Sequence, residues 1–144
     1  MRFMIILKGD KNTECGALPD RKVFAEMMRY NEELLNAGVL LSAEGLQPTS
    51  KGARVKFSGN KRTVVDGPFT ESKEVIAGFW IFQVESREEA IQWVKRCPNP
   101  LEGDAEVEIR QIFEAADFGP AMTPELAEAE ERMRAQLKKE AVCN

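Results

Sequence analysis

The chain has 144 residues and a mass of 16.2 kDa, which is the size of one ordinary domain and excludes a large multi-domain enzyme. Hydrophobic residues make up 43% of the sequence and charged residues 31%, proportions typical of soluble globular proteins and not of disordered or collagen-like chains. Twenty basic residues against 24 acidic ones give a formal net charge of −4, and no basic run exceeds two residues, so the sequence predicts no direct nucleic-acid partner.

The first half of the chain predicts a strand, a helix and a hairpin. Residues 2–8 form a short apolar run suited to a strand that is buried on both faces. Asp20 is the predicted N-cap of an amphipathic helix that ends before Gly38, and an extended segment follows it. Residues 53–66 predict a β-hairpin, because alternating and β-branched residues flank a Gly-Asn turn.

The second half of the chain repeats the alternation of strand and helix. After a loop, residues 77–84 are the most hydrophobic stretch of the sequence and predict a strand. Ser86 and Glu89 form the pattern of a capping box that opens a second helix. Residues 105–113 alternate between apolar and charged side chains, which predicts a last strand with one exposed face. Residues 123–140 are rich in Ala, Glu, Arg and Lys and predict a surface helix.

The order of these elements predicts an α+β fold. A strand, a helix, strands, a second helix and a last strand form a ferredoxin-like unit, in which both helices pack on one face of an antiparallel sheet. Residues 1–118 are the predicted domain, and residues 119–144 are a C-terminal helical extension. Apolar side chains of residues 2–8 and 77–84 point to both faces of the sheet, so a bare second face would expose a large apolar surface. We therefore expect a homodimer that closes a dimeric α+β barrel, with a cavity at or near its interface.

The sequence contains no histidine, and its three cysteines, Cys15, Cys97 and Cys143, lie far apart. Without imidazole, the commonest general base and metal ligand is missing. An odd number of widely spaced cysteines is typical of reduced thiols and not of a zinc site or a disulfide framework. The apolar run at the start is too short for a signal peptide or a membrane span. We therefore expect a cytoplasmic protein without a metal, a cofactor or a membrane partner.

The segment of residues 65–79 carries a specific motif. It reads Val-Asp-Gly-Pro-Phe-Thr-Glu-Ser-Lys-Glu-Val-Ile-Ala-Gly-Phe and resembles the signature of the DGPF-domain proteins, a branch of the YCII-related family. The resemblance extends over about residues 1–113. It implies a dimeric α+β barrel, no assigned reaction for most members, and bacterial genes often found beside those of extracytoplasmic-function sigma factors. The better-studied branch has a His–Asp pair as its proposed active site, and this chain has no histidine to form one.

Charged residues crowd the loop that contains this motif. The candidate ligand-binding residues are Asp66, Glu71, Lys73 and Glu74, together with Trp80 on the following strand. A rigid sheet can present loop side chains to a cavity, and two carboxylates near a lysine can raise one carboxyl pKa enough for acid–base work. The alternative is structural: Asp66 caps the turn through its carboxylate, while Glu71 and Lys73 are solvated. Trp80 is then a core residue.

Three classes of function fit these observations. The first is a small-molecule binding or sensing module with a cavity at or near the dimer interface. The second is a cofactor-free enzyme of the isomerase or monooxygenase type that uses carboxylates, an analogy at the level of fold. The third is an accessory protein to an extracytoplasmic-function sigma factor, with the C-terminal helix as its contact surface. The catalytic residues, if a reaction takes place, are unknown from the sequence.

Overall fold

A computed structural model describes residues 1–69 and 74–143 of the chain. The strands are β1 (Arg2–Lys8), β2 (Leu40–Gly45), β3 (Ala53–Ser58), β4 (Lys61–Asp66), β5 (Ile76–Gln83) and β6 (Val107–Gln111). The α-helices are α1 (Lys11–Glu14), α2 (Arg21–Asn36), α3 (Arg87–Lys95) and α4 (Pro124–Cys143). Two 3-10 segments cover Thr49–Lys51 and Ala115–Ala121. In the described part of the chain, no helix is long and apolar enough to cross a lipid bilayer.

The main sheet has four strands in the order β2-β5-β1-β6, and each neighbouring pair is antiparallel. Strands β1 and β5 therefore lie in the middle of the sheet, and β2 and β6 lie at its edges. This is the strand order of the ferredoxin-like unit, so the predicted α+β class with an antiparallel sheet is confirmed. The C-terminal helix of the prediction is present as α4.

The core lies on one face of this sheet. Phe3, Ile5 and Phe82 alternate with residues of the opposite face and are almost fully buried. Tyr30 and Leu34 of α2, with Ala90 of α3, pack against them in the same cluster. Both helices therefore cover the same face of the sheet, as the sequence predicts.

The opposite face of the sheet lies outside this core cluster. Met4, Phe79 and Ile81 alternate with the core residues of β1 and β5, and each is half-buried. Ile6, in the middle of this face, is 8% exposed. We call the patch formed by Met4, Ile6, Phe79 and Ile81 the second sheet face.

Helix ends follow the local signals in the sequence. The Asp20 carboxylate accepts a hydrogen bond from the Val23 N–H at the start of α2, and Gly38 takes a positive φ of 72° after its end. Ser86 caps α3 through its hydroxyl, as predicted. The second arm of the expected capping box differs: the Glu89 carboxylate accepts from the N–H of Glu85 and not from that of Ser86. The shift of one residue keeps the same function, because the carboxylate still accepts a hydrogen bond from a backbone N–H at the start of the helix.

The hairpin of β3 and β4 forms a separate two-stranded sheet, and its strand residues are all exposed. The predicted turn is present, with Gly59 at a positive φ of 56°.

The chain divides into two compact units, Met1–Ile112 and Phe113–Asn144. The domain boundary predicted after residue 118 falls inside the 3-10 segment of the second unit. Within α4, i,i+4 ion pairs form between Glu128 and Arg132 and between Glu130 and Arg134.

Candidate functional site

A cleft opens in the first unit where β1 ends and β5 begins. It consists of three adjoining cavities of about 330, 230 and 380 Å³, which share several lining residues. Leu7 and five segments of the chain form its walls; the segments are residues 10–20, 23–31, 43–48, 77–80 and 100–102. We call it the loop cleft. Because its walls include the first turns of α2 and the ends of three strands, the sheet and the helix hold the cleft in place.

The wall of the loop cleft is mainly apolar and rests on a fixed aromatic pair. Phe24 and Met27 of α2 line the cavity of about 230 Å³ together with Trp80 of β5. The Trp80 indole N–H donates to Asn31 Oδ1 at 2.9 Å, and its ring meets Tyr30 edge-on with centroids 6.3 Å apart. At 6% exposure, Trp80 belongs to the core and also lines the cleft. The cleft therefore has a rigid base and, at Phe24, which is 59% exposed, an open apolar wall.

Four of the eight polar side chains that line the loop cleft are acidic. Asp10, Asp20 and Glu102 line the cavity of about 330 Å³, and Glu44 lines that of about 230 Å³. Asp10 and Asp20 are also N-caps, since Oδ1 of each accepts a backbone N–H three residues later. Among the described residues that line the three cavities there is no lysine or arginine. The cleft therefore combines an apolar interior with four carboxylates.

The loop that carries the Asp-Gly-Pro-Phe motif is held by a side chain that the sequence interpretation did not include. Thr49 accepts a hydrogen bond from the Phe69 N–H at its Oγ1, at 3.1 Å. The same hydroxyl donates to the Glu14 carboxylate, which also accepts from the Thr49 N–H. Gly67 lies against the Thr49 carbonyl, and its N–H donates to the Gly52 carbonyl at 3.0 Å. The motif is therefore anchored to the chain that connects β2 to β3.

The predicted site residues that the structure describes, Asp66, Glu74 and Trp80, do not line a common cavity. Asp66 is exposed at the end of β4, and its carboxylate accepts no hydrogen bond from a described residue. Glu74 lines a groove of about 350 Å³, in which the Arg54 guanidinium lies 3.9 Å from the centre of the Phe69 ring. Trp80 lines the loop cleft instead. The other two predicted residues, Glu71 and Lys73, lie outside the described residues.

Two titratable groups lie between α2 and the end of α3. The Tyr30 hydroxyl donates to the Trp93 carbonyl at 2.8 Å, and burial raises the pKa of Tyr30 well above its usual range. Burial also raises the pKa of the Cys97 thiol to about 11. At neutral pH both groups are uncharged, so Cys97 is a poor nucleophile and belongs to the packing of the domain.

The sequence interpretation also missed most of the loop cleft. Phe24 and Met27 lie in the predicted amphipathic helix, but the sequence does not identify them as the wall of a cavity. The one signal available was that Phe24 lies beside the apolar stripe of α2 and not within it, so that it remains accessible in the fold. Nothing in the sequence places Leu101 or Glu102 near that helix, because the contact is made only in the folded chain.

The fold and the cleft define an α+β domain with a ferredoxin-like sheet and a cavity between loops and helix. A family model described as the YCII-related domain matches residues 1–115, and the chain belongs to this family. An uncharacterised protein of Rhizobium meliloti (strain 1021) is 28% identical over 93 residues, which cover 65% of this chain and 75% of that protein. The 5-chloro-2-hydroxyhydroquinone dehydrochlorinase of Burkholderia phenoliruptrix AC1100, solved in complex with 2,5-dihydroxybenzoquinone, is 19% identical, with a TM-score of 0.39. That alignment covers 75% of this chain and 91% of the dehydrochlorinase.

Proposed function

We propose that this protein binds a small molecule in the loop cleft and acts as a binding or sensing module. The observation that carries the proposal is the cleft itself: an apolar interior, a rigid aromatic base and a few polar groups at the rim. Ligand sites in proteins have this composition and a combined volume of several hundred Å³. The Phe24 ring, which is 59% exposed, adds apolar contact surface to the wall of the cleft.

We also propose that the protein acts as a homodimer. The second sheet face is the surface that supports this, because its apolar side chains lie outside the core cluster and three of them, Met4, Phe79 and Ile81, are only half-buried. A copy of the same face, related by a two-fold axis, would bury these side chains against each other. Light scattering is expected to give twice the chain mass of 16.2 kDa, and Ile81→Lys is expected to give the single mass. A wild-type protein of single mass at micromolar concentration would refute the dimer.

A thermal-shift screen of small molecules tests the binding proposal. A ligand at 100 times its Kd stabilises the folded protein by about 2.7 kcal/mol, which gives a clear rise in Tm. Gly45 supplies a matched pair of variants, because it lines the cleft and a Cβ there meets nothing within 4 Å. Gly45→Phe is expected to fill the cleft and abolish the shift, whereas Gly45→Ala is expected to retain it.

The same screen separates the three classes of function. A binding or sensing module releases its ligand unchanged, whereas an enzyme converts it, and mass spectrometry of the recovered molecule distinguishes these results. Hits that bind equally well to Gly45→Phe would contradict the loop cleft as the site. A screen without any hit would contradict small-molecule binding and favour the accessory protein that acts through protein contacts.

A further inference from the structure

The hairpin of β3 and β4 takes no part in the core of the chain that carries it. All six residues of each strand are exposed, and an isolated two-stranded hairpin is at best marginally stable in water. One face carries Val55, Phe57 and Val64, each at least 50% exposed. We infer that the hairpin lies against a second copy of this chain, on the acidic residues 102–108 of that copy. This contact rests on the proposed homodimer and specifies how its two copies meet.

The charge of the hairpin is opposite to that of the remaining chain. Residues 51–62 hold five of the 20 basic residues, and no acidic residue occurs from residue 45 to residue 65. This leaves 15 basic residues against 24 acidic ones in the rest of the chain. Arg54, Lys56 and Lys61 lie on the face of the hairpin opposite to the apolar side chains. Because two such hairpins repel each other, the partner must offer a different surface, and an acidic one fits best.

An acidic segment of the same chain provides this surface. Four acidic residues lie in residues 102–108, namely Glu102, Asp104, Glu106 and Glu108. No basic residue occurs from residue 97 to residue 109. Glu108 pairs with Arg110 at 3.6 Å, whereas the other three are exposed and form no ion pair with a described residue. The basic residues of the hairpin also form no ion pair within the described part of the chain. The two segments are therefore complementary, and neither is neutralised by its own chain.

The topology of the sheet places both segments at the same end but on opposite edges. Strand β2 ends at Gly45, which pairs with Gly78 of β5. Gly78 pairs with Leu7 of β1, and Leu7 pairs with Val107 at the start of β6. The hairpin follows β2 at one edge, and the acidic segment precedes β6 at the other.

One arrangement of two copies brings these segments together. When two sheets pack through their second faces, a two-fold axis along the strands keeps the ends of the sheets together and exchanges the edges. The hairpin of each copy then lies at the acidic segment of the other, so the contact forms twice. An axis across the strands would place each hairpin at the opposite end of the partner sheet. The charge pattern therefore favours the axis along the strands.

Both faces of the hairpin can serve this one contact. The strands of a hairpin are only about 5 Å apart, and lysine stems are long and flexible. The ammonium groups of Lys56 and Lys61 can therefore reach around the edge of the hairpin while its apolar face rests on the partner. Such a contact covers Val55, Phe57 and Val64, which are uncovered in the single chain.

Two charge-reversed chains test this inference. The first carries Lys56→Glu with Lys61→Glu, and the second carries Asp104→Lys with Glu106→Lys. All four residues are exposed, so both chains are expected to fold. Sedimentation velocity over a dilution series at low ionic strength measures the Kd of the dimer. Each chain alone is expected to raise this Kd at least about tenfold, because like charges meet at both contacts.

Mixing the two chains distinguishes a contact between copies from one within a copy. In the mixed dimer, the acidic hairpin meets the basic segment and the basic hairpin meets the acidic segment. We expect an equal mixture to form this dimer with a Kd close to that of the wild type. Arg21→Glu with Lys22→Glu is the matched control, because it makes the same change of net charge on α2, which packs on the core face. Its Kd is expected to equal that of the wild type.

The outcomes separate this inference from the homodimer on which it rests. A wild-type Kd in either reversed chain would overturn the inference and leave the homodimer standing. A mixture that stays as weak as its components would also overturn it, because the two segments then do not meet. The same holds if the control on α2 weakens the dimer equally, since net charge alone would then explain the effect. A wild-type protein of single mass would contradict the homodimer itself, and this contact with it.

Discussion

Replacing Gly67 by alanine tests how the motif loop is anchored. A Cβ at this position would lie 1.8 Å from the Thr49 carbonyl oxygen and 2.6 Å from its carbonyl carbon. Real Cβ atoms essentially never approach another heavy atom within 3.0 Å, so one of the two backbones must move by more than 1 Å. The glycine of the Asp-Gly-Pro-Phe motif is thus needed because two backbones meet there.

The cost of that movement follows from what holds the two backbones. Thr49 is fixed by hydrogen bonds to the Glu14 carboxylate and from the Phe69 N–H. Gly67 is fixed by its N–H bond to the Gly52 carbonyl. Separating them strains or breaks at least one of these bonds in addition to the steric overlap. Overpacking of this kind lowers the free energy of unfolding by about 1–3 kcal/mol, and we expect Gly67→Ala to fall in that range.

Urea denaturation of Gly67→Ala beside Gly45→Ala checks this expectation. Both substitutions add one methyl group and reduce the freedom of the unfolded chain equally, but a Cβ at Gly45 meets nothing within 4 Å. Gly45→Ala is therefore expected to change the free energy of unfolding by less than about 1 kcal/mol in either direction. Equal stability of the two variants would refute the close approach of Gly67 to Thr49.

Three further predictions concern Tyr30 and Cys97. Tyr30→Phe leaves the Trp93 carbonyl without its donor and is expected to cost about 1–2 kcal/mol in urea denaturation; an unchanged midpoint would contradict the bond. At pH 8, iodoacetamide is expected to modify the exposed Cys15 in the native protein much faster than Cys97, as read by peptide mass spectrometry; equal rates would contradict the burial of Cys97. The raised pKa of Cys97 means that the folded protein keeps the thiol proton over a pH range in which the unfolded chain loses it. The free energy of unfolding is therefore expected to decline as pH rises from about 9 to about 11. Cys97→Ser is expected to reduce that decline.

Much of the fold could be predicted because its signals are local. Asp20 and Gly38 mark the two ends of α2 through their own side chain and backbone, and the short apolar run in residues 2–8 marks β1. The short helix α1 was missed. Its capping box joins Asp10 to Thr13, where the usual pattern has Glu or Gln, and its length of four residues leaves no apolar period to detect.

The candidate site could be predicted only in part, because its contacts are not local. The sequence pointed to the motif loop, with Asp66 either as a ligand-binding residue or as the residue that caps its turn. In the structure, Thr49 makes the contact to the loop, from a position 20 residues away in sequence. The loop cleft combines segments separated by up to about 90 residues, such as α1 and the turn at residue 101. Contacts between such distant segments depend on the order of the strands in the sheet, and no single segment of the sequence determines that order.

The hydroxyl of Thr49 has a consequence for how this sequence can drift during evolution. One oxygen atom donates to Glu14 and accepts from the Phe69 backbone, so it joins three segments that lie far apart in the chain. Loss of the carboxylate at position 14 removes most of the reason for a hydroxyl at position 49, and the reverse is equally true. Substitutions at these two positions are therefore expected to arise together, and a chain that changes both is expected to be more stable than the sum of the two single changes indicates.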